Sequence, residues 1–459
     1  MSSEQTTFAP EQVHLVGSIG LNSVEEIFRT VGQRLGRRLK RSPDGEIGGR
    51  RLWISWQYPL LRASPFLVPD PSGAVHRISR FPILSLADGV KPEQLDFGEL
   101  GYAREARASY EDFCSARKRG DLPGHIRFQV CLPTPMAVIY AYCIERDVLA
   151  VYEAYEKDMI REVAAICAAI PHHDLCIQWD VCHEMLIWDG QPLDMFPKVG
   201  TSHDEILRRM QRICASVPED VELGVHLCYG DFRAKHFLEP RDAGKMVELA
   251  NALASTVQHP LAFVHMPVPI ARTDDAFFAP FQGLELASAT ELYLGVVHAA
   301  DGVDGAKRRM ATASRYARTF GIATECGIAR ARTPDLVKSI IDIHAAGGPG
   351  RGRSRTGGYH GSFRGRLTRF AVRGHASGAV SGAHTLRRFR AFLLVVPDRG
   401  GIAEVLSLCR YHLGHGSKLA DVRAVHGREQ GLSRMVGQVR APWRKSRGLH
   451  RDYAAEQPD

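Results

Sequence analysis

Residues 222–232 read Glu222-Leu-Gly-Val-His226-Leu-Cys228-Tyr-Gly-Asp-Phe232, an apolar run that ends on two soft metal ligands two positions apart. In a β-strand the side chains at i and i+2 point to one face. His226 and Cys228 therefore converge where the strand gives way to the Tyr-Gly-Asp loop, and parallel α/β folds keep their chemistry at such strand ends. A second run, Gly321-Ile-Ala-Thr-Glu-Cys326-Gly327, ends the same way. A thiolate from it completes a His/Cys/Cys set, the donor chemistry of zinc. A buried cysteine is more often a small hydrophobe, so the assignment depends on where these ends fall in the chain.

Working outward, apolar runs of strand length are predicted at residues 13–19, 81–86, 126–132, 175–180, 222–228, 261–266, 292–297 and 321–326. Helical patterns occupy 149–170, 203–216, 242–257 and 304–320, and 334–346 opens with Pro334 in its first turn. Ser23-Val-Glu-Glu26 is a capping box that starts a helix running to about residue 39. Its basic end, Arg37, Arg38, Lys40 and Arg41, suits the helix dipole and is expected in solvent. A polar loop follows at 42–53, whose Asp44, Glu46 and Arg50 either reach a ligand or solvate the loop. Eight β/α units within residues 1–346 make an α/β protein, a (β/α)8 TIM barrel with insertions.

In such a barrel the C-terminal strand ends carry function. They read Gln129-Val-Cys-Leu-Pro-Thr-Pro135, Ile177-Gln-Trp-Asp180, His226-Leu-Cys228, Val264-His265-Met-Pro267, Gly295-Val-Val-His298 and Thr324-Glu-Cys-Gly327. Polar groups cluster there. Asp180 reads as functional, because an unpaired buried carboxylate is costly. Gln178 is expected on the opposite face in a structural role, and Glu325 points away from Cys326. His265 is either a metal ligand or a core histidine.

The net charge of +8 is uneven: residues 347–459 hold 21 Lys+Arg against 7 Asp+Glu, while residues 1–346 hold 38 against 44. This C-terminal extension begins with the Gly/Arg-rich stretch 347–358 and is expected to be of low order, as a nucleic-acid-binding tail, an inert appendage or a frame-shifted stretch. A basic tail alone is a weak case for nucleic acid. The ten cysteines lack CxxC pairs or regular spacing, which excludes a disulfide scaffold and points to a reducing, cytoplasmic setting. No apolar run is long enough for a membrane helix.

The series Ile-Gln-Trp-Asp, His-x-Cys-Tyr-Gly-Asp, Gly-Val-Val and Glu-Cys-Gly, in this order, resembles the catalytic half of cobalamin-independent methionine synthase and its barrel superfamily, which includes uroporphyrinogen decarboxylase. The resemblance covers roughly residues 13–346 and implies that His226, Cys228 and Cys326 bind Zn2+ and that Asp180 holds the amino group of a substrate such as homocysteine. Where the family has a glutamate as remaining ligand on the sixth strand, this chain offers His265. Its catalytic histidine after the seventh strand is replaced by Ala299-Ala-Asp301, which leaves His298 as substitute, and Val181-Cys-His-Glu184 stands where the family has Glu-Pro.

The implied activity is methyl transfer from a small-molecule donor to a thiol, as in methionine biosynthesis, with Asp44, Glu46 and Arg50 as further substrate contacts. Coordination to zinc deprotonates a thiol whose ordinary pKa is about 8.5. Protein thiolates keep the metal electron-rich, so the bound sulfur stays nucleophilic. The alternative is a metal-free lyase or small-molecule binder that uses the same mouth, as the decarboxylases do.

Overall fold

The computed structural model describes residues 12–191, 197–232, 234–317 and 319–347, together with the backbone of three short strands between 393 and 428. The chain divides into two compact units, Met1–Thr356 and Gly357–Asp459.

Strands of the first unit are β1 (Arg41–Pro43), β2 (Leu67–Pro69), β3 (Leu84–Leu86), β4 (Arg127–Pro133), β5 (Leu175–Val181), β6 (Glu222–Leu227), β7 (Leu261–Pro267), β8 (Glu291–Val297) and β9 (Gly321–Thr324). Seven of them form one parallel sheet in the order β1-β4-β5-β6-β7-β8-β9. Its two edges meet on a single segment. Val13 bridges in parallel to Leu39, just ahead of β1, and to Ile322 in β9. The Val13 N–H donates to Arg38 O and the His14 N–H to Ile322 O, each at 2.9 Å. The sheet is thus curled, with a TIM-barrel-like arrangement of strands and helices.

Inward-facing side chains secure the thin 13–19 segment where ladder bonds are few. Gln129 Nε2 donates to Leu15 O at 3.0 Å and Gln178 Nε2 to Val16 O at 2.6 Å. These buried amides find partners inside the ring, as buried polar groups must. All seven residues of β5 are buried, the pattern of a strand covered on both faces.

The helix Val24–Leu35 precedes β1, Tyr102–Arg119, Val148–Ala169, His203–Ala215, Gly244–Thr256 and Gly302–Ala313 lie between strands in sequence, and Pro334–Ala346 follows β9. Ser23 caps the first: its Oγ accepts from the Glu26 N–H at 3.1 Å, while Glu26 reaches back one residue further than a standard box, to the Asn22 N–H. Thr333 caps the last, with Pro334 in its first turn.

Two expectations need correction. The run at 81–86 does not supply a strand of the main sheet: Leu84–Leu86 pairs antiparallel with Leu67–Pro69 in a separate two-stranded sheet. The second position of the ring is taken instead by residues 39–43, whose composition suggests a basic helix end followed by a loop. That strand is polar because Arg41, only 4% exposed, sits at the end of the barrel opposite the mouth, ion-paired to Glu222 at 2.5 Å and Glu291 at 2.8 Å and stacked over Phe263. Its hydrophobic signature is therefore missing. The first helix accordingly ends at Leu35, followed by a 3-10 turn, Gly36–Arg38.

In the second unit, Leu393–Pro397, Ile402–Ser407 and Val425–Arg428 form a three-stranded antiparallel sheet. The rest of the low-order expectation for 347–459 lies outside the described residues. No helix among the described residues is long and apolar enough to cross a membrane.

Candidate metal centre

β6 brings His226 to the mouth, and Cys228 follows one residue past its end. β9 ends at Thr324, so Cys326 sits in the turn beyond it. Ligand atoms of His226, Cys228 and Cys326 all lie within 4.8 Å of one another, a group that can hold a metal ion. The two sulfurs are 3.7 Å apart, compatible with two vertices of a small tetrahedron. Cys228 Sγ also accepts the Gly230 N–H at 3.2 Å, and Arg330 points at Cys326 Sγ from 3.6 Å.

His226 carries the observation that tests the fit. Its Nδ1 meets His265 Nδ1 at 2.7 Å, whereas its Nε2 is buried without a hydrogen-bond partner among the described residues. A buried orphan of this kind requires an explanation. Burial pushes the His226 imidazole well down, so it is neutral with a lone pair to give. Both thiols are pushed up, Cys228 chiefly by its contact with Cys182 and Cys326 chiefly by its contact with Cys228. Crowded neutral thiols beside an unpaired imidazole nitrogen are what a soft dication would resolve.

A small cavity of about 100 Å³ faces this group. Its walls include Glu46, Trp53, Asp180, Cys182, Phe237 and Arg330 beside the three ligand candidates. Asp180 Oδ1 accepts from Gln178 Nε2 at 2.8 Å and Oδ2 from Trp53 Nε1 at 3.3 Å. Gln178 therefore shares the face of Asp180, as residues two apart in a strand must, and the expectation of an opposite face was an error of parity. Burial raises both carboxyls: Asp180 to about 7, and Glu46 to about 8 with Asp180 adding repulsion. Glu46 and Trp53 have φ of 51° and 54°, a left-handed conformation that costs non-glycine residues about 1–3 kcal/mol and gathers at functional sites.

Of the other expected contacts, Asp44 and Arg50 are occupied elsewhere. Asp44 accepts from Arg50 at 2.6 Å, Ser109 at 2.6 Å and the Glu46 N–H at 2.9 Å, which fixes the loop that presents Glu46. They line a separate small cavity that shares only Glu46 and Trp53 with the mouth. His265 is fully buried with both ring nitrogens engaged, Nδ1 with His226 and Nε2 with Thr324 O at 3.0 Å. It is not brought into the ligand group. His298 is not brought to the cavity wall either: its Nε2 meets Val268 O at 2.9 Å and its Nδ1 faces Glu325 at 3.3 Å. Glu325 lies between His298 and His236, away from the metal group as its alternation implies.

Sequence reading missed Cys182, Trp53 and Arg330. Cys182 was legible, since it lies two positions beyond Asp180 and the alternation of a strand puts both on one face. Trp53 and Arg330 lie in loops without periodicity, so only the folded chain brings them in.

No protein-family model matches the sequence, and no curated protein is significantly similar. Several solved structures match at low identity and low TM-score. A putative vitamin-B12-independent methionine synthase from Listeria monocytogenes matches at 13% identity and a TM-score of 0.46, over 74% of this chain and 98% of that one. A B12-independent methionine synthase from Shewanella sp. W3-18-1 in complex with selenomethionine matches at 14% and 0.38, over 58% and 68%. A methyltransferase from Methanosarcina mazei matches at 11% and 0.40, over 74% and 94%. At such identities and scores they add nothing to what the residues themselves carry.

Proposed function

We propose that the first unit is a (β/α)8 barrel that transfers a methyl group to a thiol, with zinc held by His226, Cys228 and Cys326. The observation that carries this reading is the orphaned Nε2 of His226, a residue grouped with two thiols, one buried and one half-buried. When bound, zinc supplies the positive charge that ionises an acceptor thiol at neutral pH while two cysteine thiolates keep that sulfur electron-rich.

The chain's own residues then choose the acceptor. Glu46, half-buried, and Asp180, buried, are two carboxyls facing one cavity, and desolvation raises the proton affinity of both although Arg330 opposes it. An ammonium group placed between them would restore both to the charged form, with charge-assisted hydrogen bonds. The acceptor we infer is therefore an aminothiol, which agrees with a role of Asp180 in holding an amino group. Gln178 and Trp53 orient the Asp180 carboxylate, and the Asp44–Arg50 pair orients the backbone of Glu46. The donor is a small molecule whose bond to the methyl carbon breaks, the electron pair staying with the donor, as the acceptor sulfur forms its new bond. Cysteines kept as thiols match a reducing compartment such as the cytoplasm.

The test needs no knowledge of the donor. Purified protein should contain about one zinc per chain, and adding an aminothiol to the zinc-loaded protein at neutral pH should release more than one proton per chain, one from the thiol and the rest from the carboxyls that its ammonium ionises. Protein that takes up no zinc would return the barrel to the metal-free lyase or binding reading.

A further inference from the structure

His265 has no ligand position, yet it is fully buried, makes two side-chain hydrogen bonds and touches the site through both. We propose that His265 is a positioning residue that fixes His226 in the tautomer with its proton on Nδ1, so that Nε2 presents its lone pair to the metal. The inference rests on the metal reading above and concerns how the site is held ready.

The direction of each hydrogen bond follows from elementary chemistry. Thr324 O is a carbonyl and can only accept, so His265 Nε2 carries a proton. Its contacts at hydrogen-bond distance are that carbonyl and a second imidazole, with no carboxylate to balance a buried imidazolium, so the ring is neutral and its Nδ1 is an acceptor. At 2.7 Å the His226 Nδ1 must then donate to it. The one remaining nitrogen is His226 Nε2, the atom found buried and unpartnered. One chain of two hydrogen bonds, from His226 through His265 to a main-chain carbonyl, thus leaves His226 a single lone pair, on Nε2, to offer a metal.

The same imidazole also ties the ligand-bearing strand ends together. His226 and His265 are register partners on β6 and β7. Thr324 ends β9, which is not a neighbour of β7 in the sheet, so the His265 bond crosses the interior of the ring. Thr324 Oγ1 in turn donates to the Cys326 carbonyl at 2.7 Å. His265 therefore holds His226 directly and the Cys326 turn at one remove. Metal-bound histidines usually donate to a carboxylate, a carbonyl or water; a neutral imidazole in that place fixes the tautomer without adding a negative charge beside the metal.

The experiment uses full-length protein labelled with 15N-histidine, metal-free and reduced or zinc-loaded, with tautomers read from long-range 1H–15N correlations. Both forms should show His226 protonated on Nδ1 and His265 on Nε2. His265→Phe, which cannot accept, should lose about 10–100-fold in zinc affinity against a competing chelator and show mixed His226 tautomers. His265→Asn, whose amide oxygen can accept from Nδ1, should recover most of that affinity. If His265→Phe does not fold, the wild-type tautomers and the Asn variant decide. A proton on His226 Nε2 in the wild type, or a His265→Phe variant with unchanged tautomer and affinity, overturns the proposal. Wild-type protein that binds no zinc at all overturns instead the metal reading beneath it.

Discussion

Asp180 on β5 and His226 on β6 are register partners, so the buried carboxyl and the candidate metal-ligand imidazole leave adjacent strands at the same height. Neighbouring strands are about 4.8 Å apart. Both side chains line the same cavity, so a ligand joining the two positions is short.

That relationship predicts the acceptor's length. Aminothiols with a short carbon chain between nitrogen and sulfur should release the thiol proton on the zinc-loaded protein at the lowest concentrations. An alkyl thiol without the amine should need about 10–100 times more, the equivalent of a charged hydrogen bond of about 1.5–3 kcal/mol. Asp180→Asn should erase the difference while keeping the zinc. Equal affinity of the wild type for both thiols would rule the amine pocket out.

Cys326→Ser should lose most of its zinc at a chelator concentration that leaves the wild type loaded, because the cysteine comes from the turn that closes the site and a hydroxyl is a poor zinc ligand. Metal analysis after dialysis reads this directly. Full zinc content in the variant would remove Cys326 from the ligand set.

The two raised carboxyls set a pH dependence in the metal-free protein. Their folded-state values, about 8 for Glu46 and about 7 for Asp180, lie above the ordinary carboxyl range near 4. Between those limits the native chain binds more protons than the unfolded one, so stability falls as pH rises through the window. For each carboxyl the loss is at most about 1.4 kcal/mol per pH unit. Glu46→Gln or Asp180→Asn should flatten the decline between about pH 5 and 8 and raise stability at the upper end, as followed by urea unfolding. A variant with an unchanged slope would show that its carboxyl is already solvated.

Gly224 lies on β6 two residues before His226, and a Cβ there would fall 2.2 Å from the Phe263 ring. Phe263 is fully buried against His14 and Tyr293, so it has little room to give way. Gly224→Ala should destabilise the protein by about 1–3 kcal/mol, the usual cost of overpacking, measurable as a lower urea midpoint. An unchanged midpoint would mean that the ring relaxes freely.

Shortening the chain to residue 356 should leave a cooperatively unfolding protein with the same zinc uptake, since the sheet, its closing segment and the last capped helix all precede that point. Loss of a cooperative transition would show that residues 357–459 supply part of the core.

Much of this protein was legible in its sequence. Alternation of two in a strand joined His226 to Cys228, and the apolar runs marked six strands of the sheet together with the closing segment at Val13, because both their faces are buried and hydrophobicity records that burial. Ser23 announced its helix through its own hydroxyl, and Pro334 announced the last one through its place in the first turn. Other features were decided only by the fold. The strand at 39–43 carries Arg41, whose burial is possible because Glu222 and Glu291 come to it from strands about 180 and 250 residues away; composition alone reads it as a surface. His265 shows the limit most clearly. Its place on a strand end is written in the sequence, but whether its nitrogens meet a metal, a second histidine or a carbonyl depends on which strands stand opposite across the ring, a relationship that no local pattern encodes.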